Sequence, residues 1–402
     1  MAPNVLDSSS QQQQFKLTSL QGFSIVYFGN DWHAENRTSS HHIARQISRY
    51  LPVLYVDTPG MRSPTASGRD LRKIVRIGRK LLARPKQVGP RLWQLTVPQI
   101  PYRNLPAIDR LNQSLGRWLV SRAARSLGFK RRLSWFAVPH PAAMAGQVGD
   151  EFVVYYCIDD YASLAQMDAA RIQALDDGLS RRANIVFVSS QSLLDRKLSL
   201  SRAVQYSPHG VDFDLFGQAL HPATVIPESA RDLPHPVIGY FGSIAHHTDI
   251  ETIVYLAQQR PRWTFLLIGM ASVDTSSLRA LPNIHFTGAQ PYETLPGWAK
   301  AFDAAIIPYR PWFAAHSSSL KVREYLAAGK PVVTVSTPEI ENYRKLVSIA
   351  GSPEEFLAKI EQELASDSAE ARRARQDAVR DSSWQACAER ALTRIQTMVA
   401  ER

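Results

Sequence analysis

The chain has 402 residues, 45% of them hydrophobic and 21% charged, which is ordinary for a globular protein and suits about two domains. Its two cysteines, Cys157 and Cys387, lie far apart in the sequence, which excludes a disulfide scaffold or a cysteine-based metal site and fits a reducing cytoplasm. The net charge of +11 comes from the N-terminal half, so we expect an anionic partner: lipid headgroups, nucleic acid or a diphosphate-linked acceptor.

The chain opens with a polar leader, residues 1–20, which lacks the basic start and apolar run of a signal peptide and is predicted to be disordered. No stretch reaches the roughly 18–20 uninterrupted apolar residues of a membrane-spanning helix. A first series of apolar runs then predicts strands at Phe23–Phe28, Val53–Val56, Leu92–Val97, Leu133–Val138, Phe152–Ile158 and Ile185–Val188. Because these runs do not alternate with polar residues, they are typical of parallel strands covered by helices on both faces.

Residues 69–86, RDLRKIVRIGRKLLARPK, predict a basic amphipathic helix within this first series. Its basic positions include Arg72, Lys73, Arg76 and Lys80. Such a helix suits an anionic lipid surface, where each basic residue contributes about 1 kcal/mol. The alternative is a core-facing helix with a solvated basic face. No aromatic residues are interleaved and no reader motif is present, so nucleic acid is not predicted as the partner.

Polar side chains follow several predicted strands of the N-terminal half. Functional residues of parallel α/β domains gather at the carboxyl ends of strands, which makes Asp31 and His140 candidates for a cleft. The adjacent acids Asp159 and Asp160 follow the run Phe152–Ile158 and are expected to point in different directions, one toward the cleft and one toward the next helix. A carboxylate in a partly dry cleft can act as a general base on an acceptor hydroxyl. Turn or capping roles are the alternatives for all four residues.

A join is predicted near 209–236, where the chain is rich in proline and weakly periodic. Asp212-Phe213-Asp214 formally matches a metal-binding DxD, but it lies in this join and not after a strand of the second series, so we discount it as a metal site. A second series of strands follows at Val237–Phe241, Phe265–Ile268, Ile284–Thr287, Ala304–Ile307 and Val332–Val335. The spacing GxGxxG is absent after the first of these, which argues against a dehydrogenase.

A helix is predicted from Leu320 to Ala328, ended by Gly329. The run Ser317, Ser318, Ser319 precedes it and can cap it while letting the chain approach a phosphate. Lys321 in the first turn adds a positive charge, and Glu324 follows one turn later. A capped helix with a solvated acidic face is the alternative.

A last helix, within residues 383–402, carries one apolar face with Trp384, Ala388, Leu392, Ile395 and Met398. Two successive α/β series predict two Rossmann-like domains, at 21–208 and 237–382.

The second half contains a series of segments that occur together in one family. They are Gly239-Tyr240-Phe241-Gly242-Ser243, Phe265-Leu266-Leu267-Ile268-Gly269, Asn283-Ile284-His285-Phe286-Thr287-Gly288, Phe302-Asp303-Ala304-Ala305-Ile306-Ile307-Pro308-Tyr309 and Leu320-Lys321-Val322-Arg323-Glu324-Tyr325-Leu326-Ala327-Ala328-Gly329-Lys330-Pro331. In this order they resemble the donor half of family 4-like GT-B glycosyltransferases, within them the teichuronic-acid and exopolysaccharide branch. Two N-terminal stretches, Tyr50–Asp57 and Val154–Tyr161, are similar to that branch as well. The resemblance spans roughly residues 23–400.

The resemblance implies a GT-B fold: two Rossmann-like domains facing across a cleft, an N-terminal acceptor domain, and a C-terminal helix that crosses back to it. It implies that Gly242 and Ser243 approach the donor phosphates and that Glu324 binds the ribose. The family commonly has a second glutamate where this chain has His316, so the donor sugar and the stereochemical outcome stay open. Where the family often carries a basic pair, this chain has His246 and His247, for which partial substitution of that pair and a purely structural role are the two alternatives. GT-B enzymes generally offset the diphosphate charge with helix ends and basic residues, so the resemblance implies no metal and no cofactor.

The predicted activity is transfer of a sugar from a nucleotide diphosphate sugar, with UDP or GDP, to a lipid-linked saccharide in cell-surface polysaccharide synthesis. The expected location is the cytoplasm, at the inner face of the cell membrane. The alternatives are a retaining transferase that uses the donor's own phosphate, a nucleotide-sugar epimerase of the same fold, and an inactive sugar-binding scaffold subunit.

Overall fold

The computed structural model describes residues 17–34, 37–57, 84–100, 105–163, 169–314 and 319–402. These residues form two α/β units that follow one another along the chain, each built on its own sheet. Both sheets are strongly apolar in their central strands, and each is covered on two faces by helices.

The first sheet has eight strands in the order β3-β4-β2-β1-β5-β6-β7-β8. Their bounds are β1 Phe23–Gly29, β2 Val53–Asp57, β3 Lys86–Gly89, β4 Leu92–Thr96, β5 Arg131–Phe136, β6 Phe152–Cys157, β7 Ile185–Val188 and β8 Val204–Tyr206. All neighbours run parallel except β3, which pairs antiparallel with β4 at the edge. The parallel register aligns the carboxyl ends of β1, β2, β5 and β6 along one edge of the sheet.

The second sheet has six strands in the order β11-β10-β9-β12-β13-β14, and all of its neighbours are parallel. The bounds are β9 Val237–Phe241, β10 Thr264–Ile268, β11 Ile284–Gly288, β12 Ala304–Ile307, β13 Val332–Thr334 and β14 Ser348–Ile349. β9 pairs with both β10 and β12, so the chain reverses direction across the sheet at β9. Such a switch point is where open α/β sheets bind ligands.

The α-helices connect and cover these strands. In chain order they are α1 Ser39–Ile47, α2 Pro106–Ser126, α3 Ala169–Arg182, α4 Gln191–Leu198, α5 Phe213–Phe216, α6 Glu228–Arg231, α7 Ile250–Gln259, α8 Ser276–Arg279, α9 Leu295–Lys300, α10 Pro311–Ala314, α11 Leu320–Ala327, α12 Pro353–Ser366, α13 Ala369–Asp377 and α14 Trp384–Ala400. Short 3₁₀ helices lie at Thr18–Leu20, Ala142–Met144, Tyr161–Ser163, Gly217–Leu220, Tyr292–Thr294, Ile340–Tyr343 and Arg380–Ser382. No helix in the described part of the chain is long and apolar enough to cross a membrane.

Each run predicted as a strand overlaps an observed strand, and the two-sheet α/β architecture is confirmed. The three strands that were not predicted, β3, β8 and β14, are short and lie at or next to sheet edges. Their residues are partly exposed and therefore lack the continuous apolar pattern of buried strands.

The predicted basic helix at 69–86 is wrong at its end. Lys86 begins β3, whose pairing with β4 uses extended backbone, and Arg84 precedes that strand outside any helix. Residues 58–83, with Arg72, Lys73, Arg76 and Lys80, lie outside the described residues.

The C-terminal helix α14 packs on the N-terminal half. Trp384, Leu392 and Ile395 are buried in the same apolar cluster as Phe23 and Tyr55 of the first sheet. Burying each Leu or Ile side chain contributes about 1.5–3 kcal/mol. The predicted crossover of this helix to the first half is therefore confirmed.

The segment predicted as an interdomain join, 209–236, folds onto the second half. Val211, Phe216 and Ala230 are buried in its apolar cluster. Upstream of them, His209 is buried between the halves, where its Nδ1 lies 2.8 Å from the Ser39 Oγ of the first half. The connection between the two sheets is therefore packed rather than extended.

Candidate active site between the two halves

A cavity of about 310 Å³ lies between the carboxyl edges of the two sheets. Arg37 and Asp159 contribute to its wall from the first half. The second half contributes Phe241, Gly242, Ser243, His247, Ile268, Gly269, Ala289, Gln290, Tyr292, Leu295, Tyr309, Phe313, Ser319, Leu320, Lys321 and Glu324. The cavity is therefore shared between the halves.

Two glycines form the floor of the cavity where β9 and β10 end. Gly242 has φ +134° and Gly269 has φ +142°, a region that residues with a side chain rarely adopt. A Cβ on Gly269 would overlap the carbonyl oxygen of Gly242, and a Cβ on Gly242 would overlap the end of the Lys321 side chain. The two turns thus leave bare backbone facing the cavity, beside the lysine.

Helix α11 points its N-terminus at this cavity, since Ser319, Leu320 and Lys321 all line it. The backbone N–H groups of a first helical turn have no partners within the helix and lie at the positive end of the helix dipole. The predicted capping role of Ser319 is wrong, because its hydroxyl lies 3.1 Å from the Tyr309 hydroxyl instead of accepting from the helix. The Ser319 hydroxyl therefore does not accept a hydrogen bond from the first-turn N–H groups of α11.

Lys321 supplies a fixed positive charge on this wall. Its Nζ donates to the Tyr309 hydroxyl at 3.0 Å and lies 5.5 Å from the centre of the Tyr240 ring. Burial acts to lower the pKa of this amine, but the hydroxyls of Tyr240 and Tyr309 and the carboxyl of Glu324 outweigh it and raise the pKa. Lys321 is therefore charged at neutral pH.

Glu324 lies one turn along α11 and lines the same cavity. Its side chain is almost completely buried, and burial raises the pKa of its carboxyl to about 7, although the charge of Lys321 acts in the opposite direction. A carboxyl group in this setting accepts hydrogen bonds from hydroxyl groups of a bound ligand. The structure thus brings Lys321 and Glu324 together as the sequence predicted.

The adjacent acids of the first half have separate surroundings. Asp159 lines the cavity, and burial raises the pKa of its carboxyl to about 6. Asp160 is turned to Arg196, whose two terminal nitrogens donate to its oxygens at 3.0 and 3.1 Å. The Asp160 N–H also donates to Asp159 Oδ1 at 2.9 Å. Of the two acids, only Asp159 is placed to meet a ligand in the cavity.

Arg37 was not singled out in the sequence, yet it lines the cavity from the first half. Its guanidinium pairs with Glu293 of the second half and lies 5.1 Å from the centre of the Tyr292 ring. This contact joins residues that are 256 positions apart, so no local sequence pattern predicts it. Arg37 therefore adds a second positive charge and a link between the halves.

The other predicted residues are more dispersed. His140 lines a separate cavity of about 50 Å³ in the first half rather than the shared one. Asp31 is exposed and its carboxylate accepts from the His33 N–H at 3.0 Å, as in a turn. His247 lines the shared cavity against Phe313, and burial lowers the pKa of its imidazole to about 4. His316, Ser317 and Ser318 lie outside the described residues.

Across the described ranges, no three His, Cys, Asp or Glu side chains are grouped so that they could hold a metal ion. Asp212, the first acid of the formal DxD, precedes α5 in the segment packed on the second half. It does not line the shared cavity.

Comparisons with known proteins agree with this architecture. Residues 235–366 match the family model described as Glycosyl transferases group 1. The putative teichuronic acid biosynthesis glycosyltransferase TuaH of Bacillus subtilis (strain 168) is 28% identical over 274 residues, covering 62% of this chain and 68% of that protein.

Solved structures match over nearly the whole chain. Sucrose-phosphate synthase from Thermosynechococcus elongatus superposes with a TM-score of 0.69 at 15% identity, covering 94% of this chain and 100% of that one. Anabaena Alr3699/HepE in complex with UDP and glucose superposes with a TM-score of 0.57 at 16% identity, covering 94% and 98%.

Two parallel α/β units that share a cavity, with a final helix returning to the first unit, have the architecture of a GT-B glycosyltransferase. The chain is a glycosyltransferase of this fold, and its residues 235–366 form a domain of the glycosyl transferases group 1 family.

Proposed function

We propose that the protein transfers a sugar from a nucleotide diphosphate sugar, with UDP or GDP as the nucleotide, to a lipid-linked saccharide in cell-surface polysaccharide synthesis. The observation that carries the proposal is the composition of the shared cavity. Bare backbone, a helix N-terminus and Lys321 form one wall, and Asp159 forms part of the opposite one. The diphosphate fits the first wall and the acceptor hydroxyl fits the second.

The phosphate end of the donor is placed by charge. Gly242 permits close approach of the phosphates to the backbone, and the first turn of α11 offers N–H groups that have no partner within the helix. Lys321 compensates the negative charge that grows on the diphosphate as it leaves. These groups act without a metal ion in the proposed reaction. Glu324, farther along α11, accepts hydrogen bonds from the ribose hydroxyls.

The transfer step needs a base on the acceptor side. The Asp159 carboxylate removes the proton from the acceptor hydroxyl while that oxygen forms a bond to the anomeric carbon of the donor sugar. The bond between the anomeric carbon and the phosphate oxygen breaks, and its electron pair leaves with the nucleoside diphosphate. This direct displacement inverts the anomeric centre. A pKa near 6 suits a base that must be ionised at neutral pH yet accept a proton during transfer.

Several findings support the choice of donor and acceptor. The Anabaena structure is of a complex with UDP and glucose, and the Bacillus subtilis relative is named for teichuronic acid biosynthesis. The excess of positive charge in the N-terminal half, including the segment at 69–86, favours an anionic membrane surface close to the acceptor.

Ligand-dependent thermal stability tests the donor site. A ligand that binds only the folded state raises the melting temperature, so UDP, GDP or their sugars at about 100 times Kd should stabilise the protein by about 2.7 kcal/mol. The variant Glu324→Gln should lose most of this gain because the ribose loses a charged hydrogen-bond acceptor. The exposed substitution Glu228→Gln makes the same chemical change outside the cavity and should retain the gain. Stabilisation that is equal in both variants would remove Glu324 from the donor site.

A further inference from the structure

Helix α2 carries large apolar side chains on the outside of the N-terminal half. Leu111 and Trp118 are 54% and 51% exposed, and Leu105 just before the helix is 50% exposed. Seven residues make almost two full turns, so Leu111 and Trp118 lie on the same side of the helix. Isolated exposed leucines are common, but a leucine and a tryptophan aligned on one face form a patch.

Arginines surround this patch. Arg122 and Arg125 follow Leu111 by 11 and 14 positions and share its face by helical periodicity, while Arg110 and Arg117 lie along one flank. The Arg122 guanidinium lies 5.5 Å from the centre of the Trp118 ring. Within the described residues, no carboxylate forms a salt bridge with any of these four arginines.

Asp109, the single acid in the sequence of α2, lies on the opposite side of the helix. There its carboxylate pairs with Arg171 of α3 at 3.4 Å. The outward face therefore combines leucine, tryptophan and arginine, and in the described part of the chain no acid of α2 lies on it. Tryptophan and arginine beside apolar side chains are typical of helices that lie at the boundary between lipid headgroups and acyl chains.

We propose that this face of α2, formed by Leu111, Trp118, Arg122 and Arg125 and flanked by Leu105, Arg110 and Arg117, docks on an anionic lipid bilayer. The charge complementarity with anionic headgroups selects this occupant over a second protein. This surface is separate from the segment at 69–86. The inference rests on the proposed function, since a lipid-linked acceptor must be met at a membrane.

The inner side of α2 connects this surface with the carboxyl edge of the first sheet. The Asn112 side chain makes two hydrogen bonds with the backbone of Ile100. The Ile100 N–H donates to Asn112 Oδ1 at 2.7 Å, and Asn112 Nδ2 donates to the Ile100 carbonyl oxygen at 2.9 Å. Asn112 also lines the smaller cavity together with His140 and Phe28. A bilayer under α2 would therefore lie next to the edge of the sheet that bears Asp159.

A polarity-sensitive fluorophore on α2 tests the location of docking. Both native cysteines are buried, so Ser114→Cys on the exposed side of α2 gives a single reactive site in the full chain. Vesicles of equal parts phosphatidylglycerol and phosphatidylcholine should shift its emission to the blue. The same probe at Leu198→Cys, an exposed position on α4, should not respond. An unchanged emission at position 114 overturns the proposal even if the chain binds the vesicles elsewhere.

Introducing negative charge into the patch gives the second test. The double variant Leu111→Glu and Trp118→Glu should lower the vesicle partition coefficient about tenfold or more, because it removes apolar area and adds repulsion. Leu198→Glu with Val225→Glu adds the same charge at two other exposed positions and should leave partitioning within about twofold. Equal losses in both double variants would show a net-charge effect and overturn the proposal.

Two further outcomes separate the possible failures. A blue shift that grows with protein concentration without vesicles, together with a dimer in light scattering, would show that a second copy covers the face and would overturn lipid docking. Vesicle binding with no thermal stabilisation by any nucleotide would contradict the proposed transferase activity and leave the docking surface standing. Thermal stabilisation by a nucleotide without a fluorescence response at position 114 would overturn the docking surface and leave the proposed donor site standing.

Discussion

The carboxyl edges of the two sheets face the same cavity, but different residues end their strands. In the second sheet, β9, β10 and β11 end at or beside Gly242, Gly269 and Gly288, all with positive φ. In the first sheet, β2 ends in Asp57 and β6 is followed closely by Asp159. One edge exposes backbone, and the other presents acidic side chains.

In the proposed reaction, this difference assigns a separate task to each edge. Backbone N–H groups near a glycine turn bind phosphate by geometry and need no side chain that titrates. Proton transfer needs a side chain with a suitable pKa, which burial provides for Asp159. A buried acid at this edge is not by itself a candidate base. Asp57 is also buried, but its carboxylate oxygens already accept hydrogen bonds from the Trp32 N–H at 3.0 Å and the Thr96 hydroxyl at 2.9 Å.

The largest effect is expected from Asp159→Asn, which removes the proposed base from the acidic edge. It should lower kcat by about 10²–10⁴-fold, because no carboxylate then accepts the proton of the acceptor hydroxyl. Nucleotide affinity should stay unchanged, since the proposed donor site lies at the other edge. In the wild type, kcat/KM should rise with pH through about 6 as the Asp159 carboxyl ionises, and this acidic limb should vanish in the variant.

The matched variant is Asp160→Asn. In the wild type, the Asp160 carboxylate is already paired with Arg196. The variant should lose several-fold in kcat through a looser Asp159 loop and retain the acidic limb. Assays of kcat and kcat/KM against pH for both variants decide the assignment. A larger loss of kcat in Asp160→Asn than in Asp159→Asn would reverse the roles of the two acids.

The second test addresses the glycine edge. Gly242→Ala should weaken nucleoside diphosphate binding by about 10–100-fold, because the methyl group displaces the end of Lys321 and blocks backbone approach. Gly128→Ala also places a side chain at positive φ, +74°, at a backbone cost of about 1–2 kcal/mol, but no atom lies within 4 Å of its added Cβ. Calorimetric titration with UDP and GDP should show normal affinity for this control. Equal affinity in both variants would mean that the turn at Gly242 is structural.

The smallest expected effect concerns the pH dependence of stability. The carboxyl pKa of Glu324 rises from 4.5 to about 7 on folding, so its contribution to stability is complete below pH 4.5 and is lost as the pH rises through about 7. Relative to Glu324→Gln, the wild type should therefore lose roughly 2–5 °C in melting temperature between pH 5 and pH 8. Glu228→Gln should follow the wild type. A constant difference across this range would mean that Glu324 does not titrate there.

The sequence was most informative where structure depends on local pattern. Continuous apolar runs such as Ile185–Val188 and Ala304–Ile307 became strands with the predicted bounds, because strands buried on both faces need apolar residues at every position. Gly329 ends α11 with φ +70°, as the helix punctuation predicted. Lys321 and Glu324 lie on one wall of the cavity because three residues nearly complete one helical turn.

The sequence could not reveal features that depend on distant partners. Asp159 and Asp160 differ because Arg196 pairs with Asp160 alone, and Arg196 lies 36 positions after Asp160. Arg37 of the first half lines the cavity, where it pairs with Glu293 of the second half. Ser319 failed as a helix cap because the Tyr309 hydroxyl competes for it. The end of the predicted basic helix failed because Lys86 pairs with a neighbouring strand.

The return of α14 to the first half affects how the chain is made. A ribosome completes the strands of the first sheet long before it reaches Trp384, Leu392 and Ile395, which fill the apolar cluster beside β1 and β2. Until α14 emerges from the ribosome, the newly made first unit presents an uncovered apolar surface, the kind of surface that chaperones bind and that promotes aggregation. The apolar cluster of the first unit is therefore completed by a helix that is synthesised after the whole second sheet, and loss of α14 would damage the unit that was synthesised first.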